Sequence, residues 1–387
     1  MSPRTRLFVA TVSTVLVGYV AVGSLLGRVM GDTTYGQLAL FNEVVRLVLD
    51  AYVDPVNVDR AMNGARMGLT EALDGDSAWL DAEDLKAVQD GDRGDAEVGL
   101  LLTRRLGFLM VVSTREGSPA QKAGLRPGDI VKSIDGRHTR PLSPVTGHRL
   151  LRGAPGSVVK LVVLRASTDP IDMSLVRERP ATAAVRARVL EPGVGYVKVP
   201  EFTAKVAEDV RAELDGLRKQ GARHLVLDLR GSAFGPLTEA PRVAELFLKG
   251  GVVAKVSGAK QPEQVLTADA ARSAWDRPVT VLVDHGTAGA AEVVAAALLE
   301  SGRALVGQST FGRAPVQKTV TVPDGALLLT VARYHTPKGA PIHGKGLAPT
   351  VAVRLSADDE EEGEGPAGDP ILEKALELIR DEGKKAA

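Results

Sequence analysis

Cysteine is absent from the 387 residues of the chain. Its absence excludes disulfide bonds, thiolate metal sites, a cysteine nucleophile and lipid attachment to cysteine. Aromatic residues make up only 4% of the chain, too few for the stacking platforms that bind single-stranded nucleic acid. Lysine plus arginine and aspartate plus glutamate each number 48, so the basic excess of nucleic-acid-binding proteins is also missing. We therefore expect no nucleic-acid partner.

The composition that remains is that of a globular protein. Hydrophobic residues account for 44% and charged residues for 25% of the chain, and the length predicts two or three domains at about 150 residues each. We predict no metal and no other cofactor, because a phosphate-binding Gly-Lys-Ser/Thr motif is missing and the histidines lack metal-ligand spacing. The six histidines are His138, His148, His224, His285, His335 and His343.

The amino terminus carries an uncharged segment over residues 7–26, preceded by Arg4 and Arg6. At about 1.5 Å per residue such a segment spans about 30 Å of hydrocarbon, and flanking arginines stay in the cytoplasm. We predict a signal anchor over residues 1–31, with the bulk of the chain exported to a periplasmic or other extracytoplasmic space. The small residues at 21–23 leave a cleaved signal and secretion open, and a buried soluble helix is the third alternative.

Periodicity predicts the organisation of the rest of the chain. Apolar residues between 35 and 90 recur every three or four positions, as in amphipathic helices, whereas continuous apolar runs at 224–229 and 279–283 predict buried strands between helices. The fold class is therefore α/β and multidomain. The predicted parts are the anchor, a helical cap (32–94), a β-rich domain (95–180), an α/β core (181–356), and an acidic linker with a C-terminal helix (357–387).

One motif in the β-rich domain is highly specific. Residues 117–130 read GSPAQKAGLRPGDI, which resembles the core of a PDZ domain. Such a domain binds peptides by holding a terminal carboxylate on backbone N–H groups and adding a peptide strand to a sheet edge. The resemblance assigns this role to Val98, Gly99, Leu100, Leu101 and Leu102, and C-terminal tails of exported proteins as partners. A PDZ-shaped spacer with a blocked groove is the alternative.

Further segments resemble the C-terminal processing peptidases, which are exported serine proteases with a PDZ domain and a crotonase-like α/β core. The resemblance covers about residues 35–380 in order. The segments that carry it are YVDP (52–55), GYVKV (195–199), LDLR (227–230), GTAGAAE (286–292), TFG (310–312), YHTPKG (334–339) and GLAP (346–349).

The resemblance implies a Ser–Lys dyad, yet neither residue is present. The family's serine position is occupied by Gly289, which has no side chain to attack a carbonyl, and the family's lysine position by Arg313. A guanidinium stays protonated and cannot act as a base. We expect the fixed charge of Arg313 to have recruited an acidic partner. Gln317 stands where the family has a supporting glutamine.

The segment that helps to form the family's oxyanion hole is altered as well. Where the family has Asn-Pro-Gly-Gly, residues 232–235 read SAFG. Phe234 replaces a glycine ahead of Gly235, so we expect close backbone approach or a positive φ there to be costly. The sequence thus predicts a degenerate member of the family.

Other residues leave a relocated active centre open as an alternative. Thr287, Ser309 and Lys318 lie near the family positions, and His285 follows Asp284. An alignment error that hides a true dyad is a further alternative.

Three functions are consistent with these observations. The first is a pseudoprotease that binds C-terminal tails or regulates an active protease, the second is an active serine-type processing endopeptidase with a relocated centre, and the third is a small-ligand-binding protein. An apolar, enclosed cleft around Phe234 would favour the third.

Overall fold

The computed structural model describes residues 35–91, 96–166, 168–355 and 368–386. The predicted anchor at residues 1–31 and the acidic run at 358–362 lie outside these residues. Across the described ranges no helix is long and apolar enough to cross a membrane. The chain divides into two compact units, one that ends at Ala65 and one that begins at Arg66.

The first unit contains helix α1 (residues 35–51) and the beginning of helix α2 (Val58–Glu71). The helical prediction for this region is confirmed. Helix α1 ends just before Asp54 and Pro55, where the residue preceding a proline is pushed out of the helical conformation. Many of its apolar side chains are exposed, among them Tyr35, Leu38, Leu40, Val44 and Leu47.

Two short elements follow α2 in the second unit: strand β1 (Ala78–Leu80) and helix α3 (Ala82–Asp90). Helix α3 begins at Ala82, where the Asp81 carboxylate accepts the N–H of Asp84 and caps the first turn.

The β-rich domain consists of a six-stranded antiparallel sheet with two short helices. In chain order its strands and helices are β2 (Leu100–Arg105), β3 (Phe108–Thr114), α4 (Pro119–Lys122), β4 (Ile130–Ile134), β5 (Arg137–His138), α5 (Pro144–Leu151), β6 (Val158–Leu164) and β7 (Ile171–Val176). The order in the sheet is β2-β3-β4-β6-β7, with β5 paired to β4, so β2 lies at an edge. Both helices begin with a serine cap followed by proline, Ser118 and Ser143 being the caps.

The α/β core contains a six-stranded sheet in the order β17-β14-β13-β10-β9-β8, parallel except for β8. Its strands are β8 (Arg186–Glu191), β9 (Val194–Lys198), β10 (His224–Asp228), β13 (Val279–Val283), β14 (Ala304–Gly307) and β17 (Val351–Ala352). The predicted apolar runs form β10 and β13, which are unbroken because helices cover both faces of the sheet.

The helices of the core are α6 (Val206–Lys219), α7 (Ala240–Ala244), α8 (Ala290–Glu300) and the C-terminal helix α9 (Pro370–Ala386). Helices α6, α7 and α8 pack on one face of the sheet. Helix α9 docks on the other face through Ile371, Ala375 and Ile379. The first nine residues of α8 are all buried, which fits its almost wholly apolar sequence.

A third sheet stands beside the core and carries one predicted site residue, Gln317. It consists of β11 (Val252–Gly258), β12 (Gln261–Thr267), β15 (Pro315–Val322) and β16 (Gly325–His335), joined by β1. Strand β1 pairs antiparallel with β16, placing Ala78 opposite Leu328. The segment just before β1 is thereby held next to Gln317.

Candidate active site and peptide groove

Gly289 forms the turn between β13 and α8. Its backbone has φ +64° and ψ −124°, a conformation that glycine adopts freely and other residues rarely. Sharp strand-to-helix turns of this kind present catalytic serines in other hydrolases. A Cβ atom at Gly289 would meet only the Ala233 oxygen at 3.7 Å and the Arg313 oxygen at 3.9 Å within 4 Å. The turn therefore has the shape and the space for a nucleophile, but no side chain.

Glu292, in the first turn of α8, ties this turn to the segment that carries Arg313. Its buried carboxylate accepts backbone N–H groups from Gly289 (3.2 Å), Gly312 (2.7 Å) and Arg313 (2.8 Å), and the hydroxyl of Thr310. Burial raises the pKa of Glu292 to about 7, although these hydrogen bonds act in the opposite direction. The N–H of Gly289 also donates to the carbonyl of Arg313 at 3.0 Å. The structure thus brings the two family positions together.

Arg313 is paired with Asp76. The guanidinium Nε lies 2.8 Å from Asp76 Oδ1, and the Asp76 side chain is only 3% exposed. Gln317 Nε2 donates to the backbone carbonyl of Asp76 at 2.7 Å, and the Thr103 hydroxyl donates to Asp76 Oδ1 at 3.3 Å. The acidic partner expected for Arg313 is therefore Asp76. Sequence reasoning did not identify it, because it lies in an ordinary turn far from Arg313 in the sequence.

A cleft of about 380 Å³ opens beside Arg313. The lining is mainly polar and charged, and it does not include Phe234. The residues that line it are Asp74, Gly75, Asp76, Thr103, Arg104, Arg105, Phe311, Gly312, Arg313, Arg333, His343 and Gly344. The cleft is therefore not the apolar, enclosed site around Phe234 that would favour a small-ligand-binding protein.

Phe234 adopts no positive φ, so the conformational cost that a positive φ would carry there does not arise. Gly235 has φ +106° instead, and a Cβ atom on it would overlap the carbonyl of Phe202. The Phe234 carbonyl accepts the N–H of Phe202 at 2.8 Å. Its ring lies 4.4 Å from the guanidinium of Arg115 and packs against a buried cluster that includes Val112 of the β-rich domain. Phe234 thus acts as a packing residue between that domain and the core.

The candidates for a relocated nucleophile are differently placed. The Thr287 hydroxyl is buried and lies 2.9 Å from both Asp284 Oδ1 and a backbone carbonyl. Asp284 Oδ1 also accepts the N–H of Gly231. Ser309 and Lys318 are exposed, as is His285, which forms no ion pair within the described part of the chain. Thr287 is therefore fixed as part of the turn.

The predicted peptide groove runs along the edge strand β2 beside α5. A Cβ atom on Gly99 (φ +75°) would overlap Ser118, so the loop before β2 requires glycine. Two outward N–H groups of β2 already have partners: Leu102 donates to His148 Nε2 at 3.0 Å, and Arg104 donates to the carbonyl of Gly75 at 3.1 Å. The groove edge is thus occupied from within the protein.

His148 projects from α5 and is half-buried at the groove edge. Burial, together with the positive charges of Arg313 and Arg152, lowers its pKa to about 4. The ring is therefore neutral at ordinary pH, with Nε2 as the acceptor for the N–H of Leu102. Sequence reasoning treated this histidine as a scattered residue.

Comparisons with known proteins agree with this architecture. A model of peptidase family S41 matches residues 193–353, and a PDZ domain model matches residues 110–165. The chain is 32% identical over 337 residues to the carboxy-terminal processing protease CtpA of Bacillus subtilis (strain 168), covering 86% of this chain and 72% of that protein. It is 32% identical over 342 residues to a carboxy-terminal-processing protease of Bartonella bacilliformis, covering 86% and 78%.

A solved structure is similar over most of its length. The photosystem II D1 C-terminal processing protease superposes with a TM-score of 0.71 at 28% identity, covering 84% of this chain and 93% of that one. The predictions of a PDZ domain and a mixed α/β protease core are confirmed. The chain belongs to peptidase family S41, among the C-terminal processing peptidases.

Proposed function

We propose that this chain is a pseudoprotease that binds C-terminal peptide tails of exported proteins or regulates an active protease. The observation that carries the proposal is the pairing of Arg313 with Asp76 beside a side-chain-free Gly289.

Acyl transfer by a Ser–Lys dyad needs a hydroxyl nucleophile and an unprotonated amine. Gly289 supplies no nucleophile. Arg313 supplies no base, because a guanidinium stays protonated and Asp76 stabilises its charge further. Thr287 is bonded into its own turn and does not replace the missing hydroxyl.

The binding half of the proposal rests on the loop and edge strand at residues 98–102. The conformation of Gly99 and the edge position of β2 suit capture of a terminal carboxylate followed by strand addition. A tail that extends along β2 must displace His148 from Leu102, which costs part of the binding energy. We therefore expect apolar tails to bind weakly, with a Kd of roughly 1–100 μM, or about −5.5 to −8 kcal/mol.

The test combines turnover with binding on the same protein. A fluorescent peptide with an apolar free C-terminus should bind and remain intact, as followed by anisotropy and mass spectrometry. Amidating the terminus, or introducing Gly99→Val to disturb the loop, should weaken binding. Equal affinity for free and amidated peptides would exclude this binding mode. Cleavage of the peptide would support the alternative of a relocated active centre.

We propose further that residues 1–31 anchor the chain in the cytoplasmic membrane with the bulk exported, on the basis of the uncharged segment at 7–26 and its preceding arginines. Protease added outside spheroplasts should degrade the bulk of the chain. Full protection would refute the export, and release into the medium would indicate a cleaved signal.

A further inference from the structure

The cleft beside Arg313 has a positively charged rim. Arg105 is exposed at the end of β2, and no carboxylate of the described residues lies within 4 Å of its guanidinium. Arg333, on β16, has a side chain that is 47% exposed, and its Nη2 is 3.7 Å from Asp74 Oδ2. Arg105 can therefore meet a ligand without losing an ion pair, and Arg333 would give up only its 3.7 Å contact with Asp74.

The two acidic side chains that line the same cleft have little exposure to solvent. Asp76 is bonded to Arg313 and is 3% exposed. Asp74 is 11% exposed, and its Oδ1 accepts the N–H groups of Asp76 (3.0 Å) and Ser77 (2.6 Å). Because the aspartates are buried and bonded while two arginines remain exposed, the mouth of the cleft favours anions.

The cleft adjoins the far end of the peptide groove. Strand β2 runs from the carboxylate-binding loop near Gly99 to Arg105, and a tail that adds to it runs antiparallel. The carbonyl of Gly75 accepts the N–H of Arg104, so this N–H is not available to a bound tail. A tail that pairs with β2 as far as Leu102 therefore leaves the strand after that residue. Gly75, Arg104 and Arg105 all line the cleft, which is the space next to that point. At about 3.4 Å per residue, the tail residues arriving there lie about four to seven positions before its C-terminus.

We propose that the rim of Arg105 and Arg333 selects tails that carry acidic side chains about four to seven residues before an apolar C-terminus. This inference rests on the proposed binding of tails in the groove at residues 98–102. It assigns a ligand class: peptides that are acidic upstream and apolar at the end.

Three fluorescent peptides of equal length test the proposal by anisotropy on the full chain in detergent. The first has acidic residues upstream and a free apolar terminus, the second replaces the acidic residues with their amides, and the third is the first peptide with an amidated terminus. At low salt the first should bind about threefold to tenfold more tightly than the second, and about 0.5 M salt should remove most of the difference.

The double variant Arg105→Gln/Arg333→Gln should lower the affinity for the first peptide to that for the second, while leaving the second unchanged. The matched control, Arg137→Gln/Arg354→Gln, removes two exposed arginines outside the cleft and should change neither affinity. Thermal melting should be similar for both variants, because all four side chains are at least partly exposed.

The outcomes separate this inference from the proposed function. Equal binding of the first and second peptides, with weaker binding of the third, overturns the charge selection but leaves tail binding intact. Equal binding of the first and third peptides would show that the arginine rim binds acidic segments without the free terminus in the groove. That result contradicts the proposal. Absence of binding by all three overturns both.

Discussion

The guanidinium of Arg313 is held 2.8 Å from the buried carboxylate of Asp76, a residue 237 positions away in the chain. The pair stands where the family resemblance places a catalytic lysine, next to the turn of Gly289. Arg313 is a permanently charged group with its own buried counter-ion, whereas a catalytic lysine must lose a proton. The interaction is structural, and its energetic consequences can be measured.

Removing the guanidinium should destabilise the protein. Arg313→Ala leaves the Asp76 carboxylate buried without its counter-ion, and we expect a loss of about 3 kcal/mol in the free energy of unfolding, measured by urea denaturation. The matched control Arg354→Ala removes an exposed arginine and should cost less than about 0.5 kcal/mol. In the double variant Arg313→Ala/Asp76→Ala the loss should be smaller than the sum of the two single losses. Similar small losses for Arg313→Ala and the control would show that the pair contributes little.

Restoring the dyad should fail unless Asp76 is neutralised as well. Gly289→Ser has space for its side chain, though at a strained φ of +64°. A lysine introduced by Arg313→Lys would lie next to the Asp76 carboxylate. The negative charge of Asp76 keeps the pKa of the lysine high, so the amine stays protonated. We therefore expect the double variant to resist a fluorophosphonate probe, and the triple variant with Asp76→Asn to be labelled slowly.

The control for this series is the triple variant that carries Asp74→Asn in place of Asp76→Asn. Asp74 lines the same cleft but lies near Arg333 instead of Arg313. It should remain unlabelled. Rapid labelling of the double variant alone would show that Asp76 does not suppress the base.

Loss of the His148 side chain should open the peptide groove. His148→Leu keeps most of the buried volume but removes the acceptor for the N–H of Leu102. A tail no longer has to displace a hydrogen bond of about 1 kcal/mol, so its affinity should rise about fivefold. The control His138→Leu changes an exposed histidine on β5 and should leave the affinity unaltered. Unchanged or weaker tail binding by His148→Leu would show that His148 does not limit access to the edge strand β2.

Glu292 should give the core a defined pH dependence. Its pKa is raised from 4.5 to about 7 in the folded protein, so the folded state binds the proton more tightly than the unfolded state. Its favourable contribution is complete below about pH 4.5 and is lost as the pH rises through about 7. Relative to Glu292→Gln, the wild type should therefore lose up to about 3 kcal/mol of unfolding free energy between pH 4.5 and 8. A difference that stays constant over this range would exclude the shift.

Local pattern was sufficient to predict most elements of the fold. Strands β10 and β13 lie where the continuous apolar runs placed them, because each is determined by neighbours in sequence. Strands β11, β12, β15 and β16 were not predicted. Strands β12 and β15 are largely exposed, and register shifts interrupt the β11–β12 and β15–β16 pairings, which weakens the two-residue period on which such predictions depend.

The candidate site could be predicted only where a motif lay within one segment. Gly289 and Arg313 were located by the residues around them, and the structure places them in contact. Asp76, His148 and Gly75 were missed, because each acts on a residue that is close in space and distant in sequence. Their roles depend on how β1 docks on β16 and how α5 lies along β2, which no local pattern specifies.

Under the proposed function, Gly289 and Arg313 leave the chain without peptidase activity. The most direct measurement is mass spectrometry of an unfolded protein substrate and an apolar-tailed peptide after long incubation with the purified chain, beside the carboxy-terminal processing protease CtpA of Bacillus subtilis under the same conditions. We predict that both substrates stay intact with this chain and are cleaved by CtpA. Cleavage by this chain that disappears with Thr287→Ala or Ser309→Ala would contradict the claim and identify a relocated nucleophile.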